Sequence, residues 1–237
     1  RQGLMEKAGA AAQKVLEINP NHVSALVNLA GCYIDLGRHD EGVETFKQGL
    51  LVDPTNPSVH SGLMFGMLCS SETKAENLLT IGQRFDVDVC QALLKPYPFS
   101  REKQNPDRKL RIGWVSSDLR GHPVGAFIGP FFPHLDQEKV ELYVYSNWSK
   151  DDAVTAAIKP YAKVWRGIRG LGDNAVAECI RTDEIDILVD LTGFTQNSRC
   201  GIVALRPAPV SVSWLGFPGT MGSFIGGSFI EGSFIEG

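Results

Sequence analysis

The chain contains 237 residues, of which 43% are hydrophobic and 21% are charged, and its formal net charge is −4. This composition is that of an ordinary globular protein, and the length predicts one or two domains. A mildly acidic chain is a poor candidate for nucleic-acid binding, which depends on clustered lysines and arginines. No apolar run approaches the roughly 20 residues that span a bilayer. We therefore expect neither nucleic acid nor a membrane among its partners.

The cysteines carry no motif. The chain has five, and none of them forms a C-x-x-C pair: Cys32, Cys69, Cys90, Cys179 and Cys200. This spacing supports neither a metal site nor a redox motif. An odd, dispersed set is typical of a reducing compartment, where cysteines pack as small hydrophobic residues. We therefore expect a cytoplasmic protein without a bound metal.

Two similar segments near the amino end, Lys14–Pro20 and Gln48–Pro54, finish in prolines that are 34 residues apart. This period is that of the tetratricopeptide repeat, a pair of helices that stacks on its neighbours. Apolar and small residues at helical spacing between the two prolines fit such a pair. Residues 1–56 are therefore predicted to be tetratricopeptide repeats, with one complete unit over Val23–Asn56. Stacked repeats form extended surfaces that bind proteins or peptides.

The next segment, from Pro57, is apolar on most faces of the predicted helix, which indicates burial against another domain. A helical pattern continues over Ala75–Phe85, and the polar stretch Phe99–Arg108 is predicted to be an exposed linker. Residues 57–108 are therefore predicted to be a helical joint and linker.

From Leu110 the hydrophobic pattern becomes that of strands alternating with helices. The predicted strands are Leu110–Ser116, Val140–Asn147, Lys163–Gly167, Ile185–Leu191 and Val210–Leu215. The predicted helices between them are a short one within Val124–Leu135, then Ala153–Lys163, Asn174–Thr182 and Cys200–Leu205. This alternation predicts a parallel, Rossmann-like sheet over residues 109–221. The fold class is therefore α/β, with the end of a helical superhelix leading into the sheet. No G-x-G-x-x-G follows the first strand, which disfavours dinucleotide binding by that motif.

Polar residues follow the predicted strands, at the sheet edge where open α/β folds bind their ligands. Asp118 and His122 lie four residues apart after the first strand, and Pro123 comes next. Histidine suits proton transfer near neutral pH, so the two form a candidate reaction centre. By themselves, these residues could equally form a turn that Asp118 caps. Asp190, at the end of a buried strand, is predicted to be structural.

Motifs in a fixed order resemble those of the SPINDLY-like O-linked N-acetylglucosamine transferases, glycosyltransferase family 41. They are the Asp-x3-His-Pro motif at 118–123, the run Asp186–Thr195, and the segments Ala204–Val210 and Trp214–Thr220, all after tetratricopeptide repeats. The resemblance covers residues 10–222 and implies a two-lobed GT-B architecture, with 109–221 as its N-terminal lobe. It implies transfer of N-acetylglucosamine (GlcNAc) from UDP-GlcNAc to serine or threonine hydroxyls of proteins, with inversion at the sugar. It also implies that no metal or other cofactor is needed.

The resemblance further implies roles for two histidines. His122, with Asp118 before it and Pro123 after it, matches the motif that carries the family's active-site histidine. His60 matches the first residue of a His-Ser-x-Leu pattern at the end of the family's repeats. This places a second candidate histidine on the joint, facing the cleft. A histidine on an apolar helix can equally be a packed one, and which histidine is the base, if either, stays open.

The resemblance also implies a sugar-binding loop. Leu215 and Gly216 match the Leu-Gly of the family's W-L-G-Y-P-G-T motif, which lines the sugar pocket, and Thr220 is the last residue of that motif. The family's second lobe, which is expected to hold the UDP and the lysine that neutralises it, is not matched. We therefore expect the 237-residue chain to be inactive by itself. The alternative is a tetratricopeptide module for protein binding that carries a vestigial, non-catalytic α/β domain.

The last segment, residues 222–237, repeats a five-residue unit beginning Gly-Ser-Phe-Ile and does not resemble the family. We find no helix or strand rationale in it and expect either disorder or the product of a replicated coding tract.

Overall fold

The fold is described from a computed structural model over residues 2–93 and 107–219, together with the backbone of 229–231. These residues divide into two compact units. The helical unit comprises residues 2–92, 194–196 and 219, and the α/β unit comprises 93, 107–193, 197–218 and 229–231. Most of the predicted linker and most of the repetitive segment lie outside the described residues.

The helical unit is built from consecutive helices joined by short turns. They are α1 (Gln2–Ile18), α2 (Val23–Asp35), α3 (His39–Val52), α4 (Pro57–Cys69) and α5 (Ala75–Phe85), followed by a π-helical turn (Asp86–Cys90) and by α6 (Gln91–Leu93), whose last residue is counted with the α/β unit. Helices α2 and α3 are the pair that the 34-residue period predicts.

Local sequence explains where α4 begins and how it packs. The side chain of Asn56 accepts hydrogen bonds from the amides of Ser58 and Val59, and Pro57 occupies the first helical turn, where its missing N–H costs nothing. Gly62 is required in this helix because a Cβ there would lie 2.2 Å from the ring of Phe46 on α3. Much of α4 is buried, and part of its cover comes from the repeat that precedes it; burial against another domain stays a prediction.

The α/β unit contains a parallel sheet. Its strands are β1 (Leu110–Ser116), β2 (Val140–Ser146), β3 (Val164–Gly167), β4 (Ile187–Asp190), β5 (Val210–Ser213) and β6 (Phe229–Glu231). Its helices are α7 (Pro123–Ile128), α8 (Ala153–Ile158), α9 (Asp173–Thr182) and α10 (Cys200–Ala204), with 3-10 turns at Gly129–His134 and Lys159–Tyr161. The strand order is β3-β2-β1-β4-β5-β6 and every pairing is parallel. This is the doubly wound Rossmann order, so the predicted fold class is confirmed.

Alternate residues of the central strands enter separate cores on the two faces of the sheet. Trp114 and Val189 pack in a cluster with Ile128 of α7. The next residue of β1, Val115, packs in a second cluster with Ile180 of α9. Because both faces are covered, the strands appear in the sequence as continuous apolar runs.

One expectation for the repetitive segment is wrong. Phe229–Glu231 forms β6, which pairs with β5 in parallel. The strand has a physical reason, since β5 offers an open edge and Phe-Ile is a β-favouring pair. The rest of the segment lies outside the described residues.

Two carboxylates brace the amino edge of the sheet. Asp186 accepts a hydrogen bond from the backbone amide of Arg111 (2.8 Å) and forms an ion pair with Arg108. Asp183 accepts hydrogen bonds from the hydroxyl of Tyr145 (2.8 Å) and from the guanidinium of Arg166 (2.6 and 2.9 Å). The contacts of Asp186 hold the beginning of β1, and those of Asp183 connect β2 and β3 to the turn that follows α9.

Candidate active site

The strand order places a crevice beside the carboxyl end of β1. Strands β1 and β4 are neighbours, but the chain continues from β1 to β2 on one side and from β4 to β5 on the other. Such a switch point is where doubly wound sheets bind ligands. The residues that follow each strand are called its tip. The tips of β1 and β4 meet there, because the amide of Ser117 lies 3.4 Å from Oγ1 of Thr192.

Asp118 and His122 both lie on the tip of β1, as their spacing predicts. Asp118 is buried, and its amide donates to Oγ of Ser116 (2.9 Å). His122 is half-buried, and its Nδ1 lies 3.9 Å from Oδ1 of Asp118. That separation is too long for a hydrogen bond. The same carboxylate oxygen lies 3.4 Å from Nη2 of Arg120. The two predicted residues are therefore neighbours, and Arg120 is the closer partner of the carboxylate.

His122 also begins helix α7. Its Nδ1 accepts a hydrogen bond from the amide of Val124 (3.3 Å), and Pro123 occupies the first helical turn. An Nδ1 that accepts carries no proton, so a neutral imidazole in this arrangement carries its proton on Nε2. Among the described residues, Nε2 has no hydrogen-bond partner. In this state the imidazole offers a donor, and not a lone pair, to a ligand at the switch point.

Asp190 is a buried carboxylate whose pKa is raised, which a purely structural role does not require. It ends β4, is almost fully buried, and accepts hydrogen bonds from the amides of Thr192 and Gly193 (both 3.0 Å). Burial raises the pKa of Asp190 to about 6, and the nearby charge of Asp118 acts in the same direction, whereas the two amides oppose it. The prediction of a structural role agrees with these bonds. The sequence contains no signal for the raised pKa.

A contact that sequence reasoning missed lies beside the Asp118–His122 pair. The guanidinium carbon of Arg120 lies 4.0 Å from the centroid of the Trp148 ring, on the tip of β2. Nε of Arg120 also donates to the carbonyl oxygen of Ser117 (3.1 Å). Arg120 thus connects the tips of two strands while it holds Asp118. The sequence shows that Arg120 lies inside the Asp-x3-His motif. It does not show the contact with Trp148, because that residue is 28 positions further along the chain.

The predicted sugar-binding pair lies on the tip of β5. Leu215 adopts a left-handed conformation (φ 72°), which is uncommon for a leucine. Gly216 packs against the tip of β4 so closely that a Cβ would lie 1.8 Å from the carbonyl oxygen of Leu191. Leu215 also packs against the apolar cluster that contains Leu119, the residue after Asp118. The structure therefore assembles the tips of β1, β4 and β5, and Thr220 lies outside the described residues.

His60 lies on α4 in the helical unit, where it is fully buried. Its Nε2 lies 2.7 Å from the carbonyl oxygen of Pro54, and its ring meets that of Phe85 edge-on at 5.6 Å. Burial lowers the pKa of His60, and the hydrogen bond to Pro54 opposes this only in part. Nδ1 is buried and has no partner among the described residues. A neutral His60 that donates through Nε2 therefore keeps a free lone pair on Nδ1. A place facing the cleft with His122 stays a prediction.

The described residues contain neither a metal-binding cluster nor a membrane-spanning helix. No group of three or more histidine, cysteine, aspartate or glutamate side chains within 2–93 and 107–219 has the arrangement of a metal site. None of the described helices combines the length and the apolar character that a membrane span needs.

Comparisons with known proteins agree with this architecture. A family model described as "Glycosyl transferase family 41" matches residues 57–231, and one described as "Tetratricopeptide repeat" matches residues 1–63. A rice (Oryza sativa subsp. japonica) protein named "Probable UDP-N-acetylglucosamine--peptide N-acetylglucosaminyltransferase SPINDLY" is 34% identical over 194 residues, which is 76% of this chain and 20% of that protein. The protein of the same name from Arabidopsis thaliana is 41% identical over 123 residues, or 50% of this chain and 14% of that protein.

A solved structure is also similar. It is an O-GlcNAc transferase from Thermobaculum terrenum, with a TM-score of 0.79 and 31% identity, and the match covers 92% of this chain and 42% of that chain. This chain thus spans less than half the length of each of these relatives.

The fold and the site define a Rossmann-type α/β protein that is joined to tetratricopeptide helices and has a candidate reaction centre at its switch point. The chain belongs to glycosyltransferase family 41. The resemblance inferred from the motifs is therefore confirmed.

Proposed function

We propose that this chain forms the acceptor side of a protein O-GlcNAc transferase, which moves GlcNAc from UDP-GlcNAc to serine or threonine hydroxyls with inversion. The placement of Asp118 and His122 at the switch point carries the proposal. The printed names of the relatives in family 41 support the donor and the acceptor class. The tetratricopeptide helices bind the acceptor polypeptide, and the protein works in the cytoplasm, where its five cysteines stay reduced.

Inversion requires one in-line displacement, in which the acceptor hydroxyl attacks the sugar carbon while UDP leaves. His122 serves this step in two tautomers. With Nδ1 bonded to the amide of Val124, Nε2–H donates to an oxygen of a bound substrate and orients it. With the proton on Nδ1, Nε2 has the lone pair that a general base needs. Asp118 favours that second tautomer, because a shift of about 1 Å would bring its carboxylate into hydrogen-bond range of Nδ1–H.

Leu215 and Gly216 line the sugar side of the proposed site. The step uses no metal, as the resemblance to GT-B enzymes implies. The UDP is neutralised by groups in the part of the relatives that this chain does not span. We therefore propose that the 237-residue chain binds acceptors and transfers no sugar by itself, because stabilisation of the departing charge is commonly the largest catalytic term.

The test uses the purified, isotope-labelled chain with a serine-containing peptide and UDP-GlcNAc. We expect NMR shifts at the His122 imidazole when the peptide is added, and no glycosylated peptide by mass spectrometry. Glycosylation by the chain alone would contradict the proposed division of labour. Shifts confined to the helical unit would favour the protein-binding module with a vestigial α/β domain.

A further inference from the structure

The tips of β1, β2 and β3 carry four side chains, here called the basic tip cluster: Arg120, Trp148, Lys150 and Arg169. The guanidinium carbons of Arg120 and Arg169 lie 4.0 and 5.8 Å from the centroid of the Trp148 ring. Both distances are within the range of a cation–π contact. Trp148 is half-buried, and Lys150 and Arg169 are exposed. The cluster therefore presents the exposed guanidinium of Arg169 near an aromatic ring, and the exposed Lys150 lies two residues after that ring in the sequence.

The two exposed cations have no carboxylate partner among the described residues. The guanidinium of Arg169 donates to Oγ of Ser149 (2.8 Å), which leaves most of its five N–H groups available. Lys150 makes no ion pair or hydrogen bond with the described part of the chain. A guanidinium with a free fork beside an aromatic ring suits a carboxylate, which it can hold with two hydrogen bonds.

The acidic residues of the same tips are already occupied. Asp118 is held by Arg120, and Asp151 forms an ion pair with Lys159. Asp152 accepts from the amides of Gly121 and Thr155. These bonds fix the loops in place and leave Arg169 and Lys150 as the unmatched charges.

The strand order sets the position of the cluster relative to the proposed reaction. The tip of β1 carries His122, the tips of β4 and β5 lie on one side of it, and the tips of β2 and β3 lie on the other. If the sugar lies near Leu215 and Gly216, the acceptor polypeptide on either side of the reacting hydroxyl can extend over the tips of β2 and β3. Neighbouring strands are about 4.8 Å apart and an extended chain rises about 3.3 Å per residue, so the tip of β3 lies about three acceptor residues from His122.

We propose that the basic tip cluster binds an acidic side chain of the acceptor polypeptide, two or three residues from the hydroxyl that receives the sugar. The assignment deepens the proposed function and rests on it. Arg169 and Lys150 contact the acceptor carboxylate. Trp148 packs against the adjoining acceptor backbone. Its ring also contacts Arg120, which in turn holds Asp118. The cluster thereby selects acceptor sites that have an aspartate or glutamate nearby.

The experiment measures binding and needs no transfer. Serine peptides with glutamate three residues before or after the serine are compared with matched glutamine peptides, by NMR of the labelled chain. We expect the glutamate peptide to shift the Trp148 indole N–H and the amides near Arg169, and to bind about five-fold more tightly than its glutamine counterpart. The double variant Lys150→Gln/Arg169→Gln should remove this preference and leave glutamine-peptide binding unchanged.

The matched control is Lys139→Gln/Lys163→Gln, which removes the same charge at the amino edge of the sheet, where these lysines contact Asp136 and Glu141. It should keep the preference for glutamate. Equal affinity for the two peptides, or an equal loss in the control, would overturn the proposal. So would a Trp148 shift caused by UDP and not by the acidic peptide. Because the readout is peptide binding, absence of sugar transfer by the family 41 protein would count against the proposed function and not against the carboxylate site.

Discussion

The raised pKa of Asp190 predicts an unusual dependence of stability on pH. The pKa of this carboxyl is about 6 in the folded chain and 3.8 ordinarily. The folded chain therefore holds this proton more tightly than the unfolded chain does. As the pH rises from below 3.8 to well above 6, ionisation of Asp190 lowers the free energy of unfolding by about 3 kcal/mol in total.

The perturbation is Asp190→Asn, which keeps the shape of the side chain and removes its charge. An amide has one acceptor oxygen, so it can serve the amide of Thr192 or that of Gly193 fully, but not both. We expect a loss of about 1–2 kcal/mol from the missing hydrogen bond at every pH. At pH 4 the variant is therefore less stable than the parent. At pH 7.5 it is as stable or more stable, since the cost of the buried charge is gone.

The assay is urea unfolding followed by tryptophan fluorescence. All four tryptophans, Trp114, Trp148, Trp165 and Trp214, lie in the α/β unit, so the signal reports on that unit. The difference in unfolding free energy between variant and parent should change by about 2 kcal/mol between pH 4 and pH 7.5. A difference that is the same at both pH values would refute the reasoning.

Asp183→Asn is the control with the opposite sign. Burial would raise the pKa of Asp183, but the hydrogen bonds from Arg166 and Tyr145 outweigh it and lower the pKa. Asp183 therefore stabilises the fold at neutral pH, and this contribution is lost as the pH falls through the lowered pKa. The deficit of Asp183→Asn should be largest at pH 7.5 and should shrink towards acid.

Three further predictions concern single contacts. Gly216→Ala should lower the free energy of unfolding by about 1–3 kcal/mol in the same fluorescence assay, whereas Gly167→Ala, where a Cβ meets nothing within 4 Å, should not do so through a clash. His122→Ala should speed amide exchange at Val124 because α7 loses its cap, at a cost of about 1 kcal/mol; His122→Asn should keep the cap, and equal exchange in the two variants would contradict the capping role. His60→Ala should destabilise the helical unit by about 2–4 kcal/mol in urea unfolding followed by far-UV circular dichroism, since it removes a buried ring and its hydrogen bond; an unchanged midpoint would contradict that packing.

Much of the fold followed from local pattern. The limits of β1 were predicted to the residue, because a strand buried on both faces appears as an uninterrupted apolar run between polar residues. The limits of β4 were less well predicted: Ile185–Leu191 was expected, and Ile187–Asp190 forms the strand. The three residues of β6 were missed, since a strand at a sheet edge depends on its partner more than on its own sequence.

The site was only partly predictable for a related reason. The spacing of Asp118 and His122 placed them on one tip, and the structure agrees. It could not show that Arg120 is the closer partner of the carboxylate, because that guanidinium is held by Trp148 from the next tip. Nor could it show that His122 caps α7, since capping depends on which imidazole nitrogen faces the helix.

The central claim is that the tip of β1 handles the acceptor hydroxyl in transfer from UDP-GlcNAc. The most direct measurement is sugar transfer to a serine peptide by the protein encoded by the complete reading frame that contains this chain, detected by mass spectrometry. We predict transfer by the parent, a loss of at least about 100-fold in His122→Ala that His122→Asn does not restore, and full activity in His134→Ala, a change at an exposed histidine. Activity of His122→Ala equal to that of the parent would contradict the account.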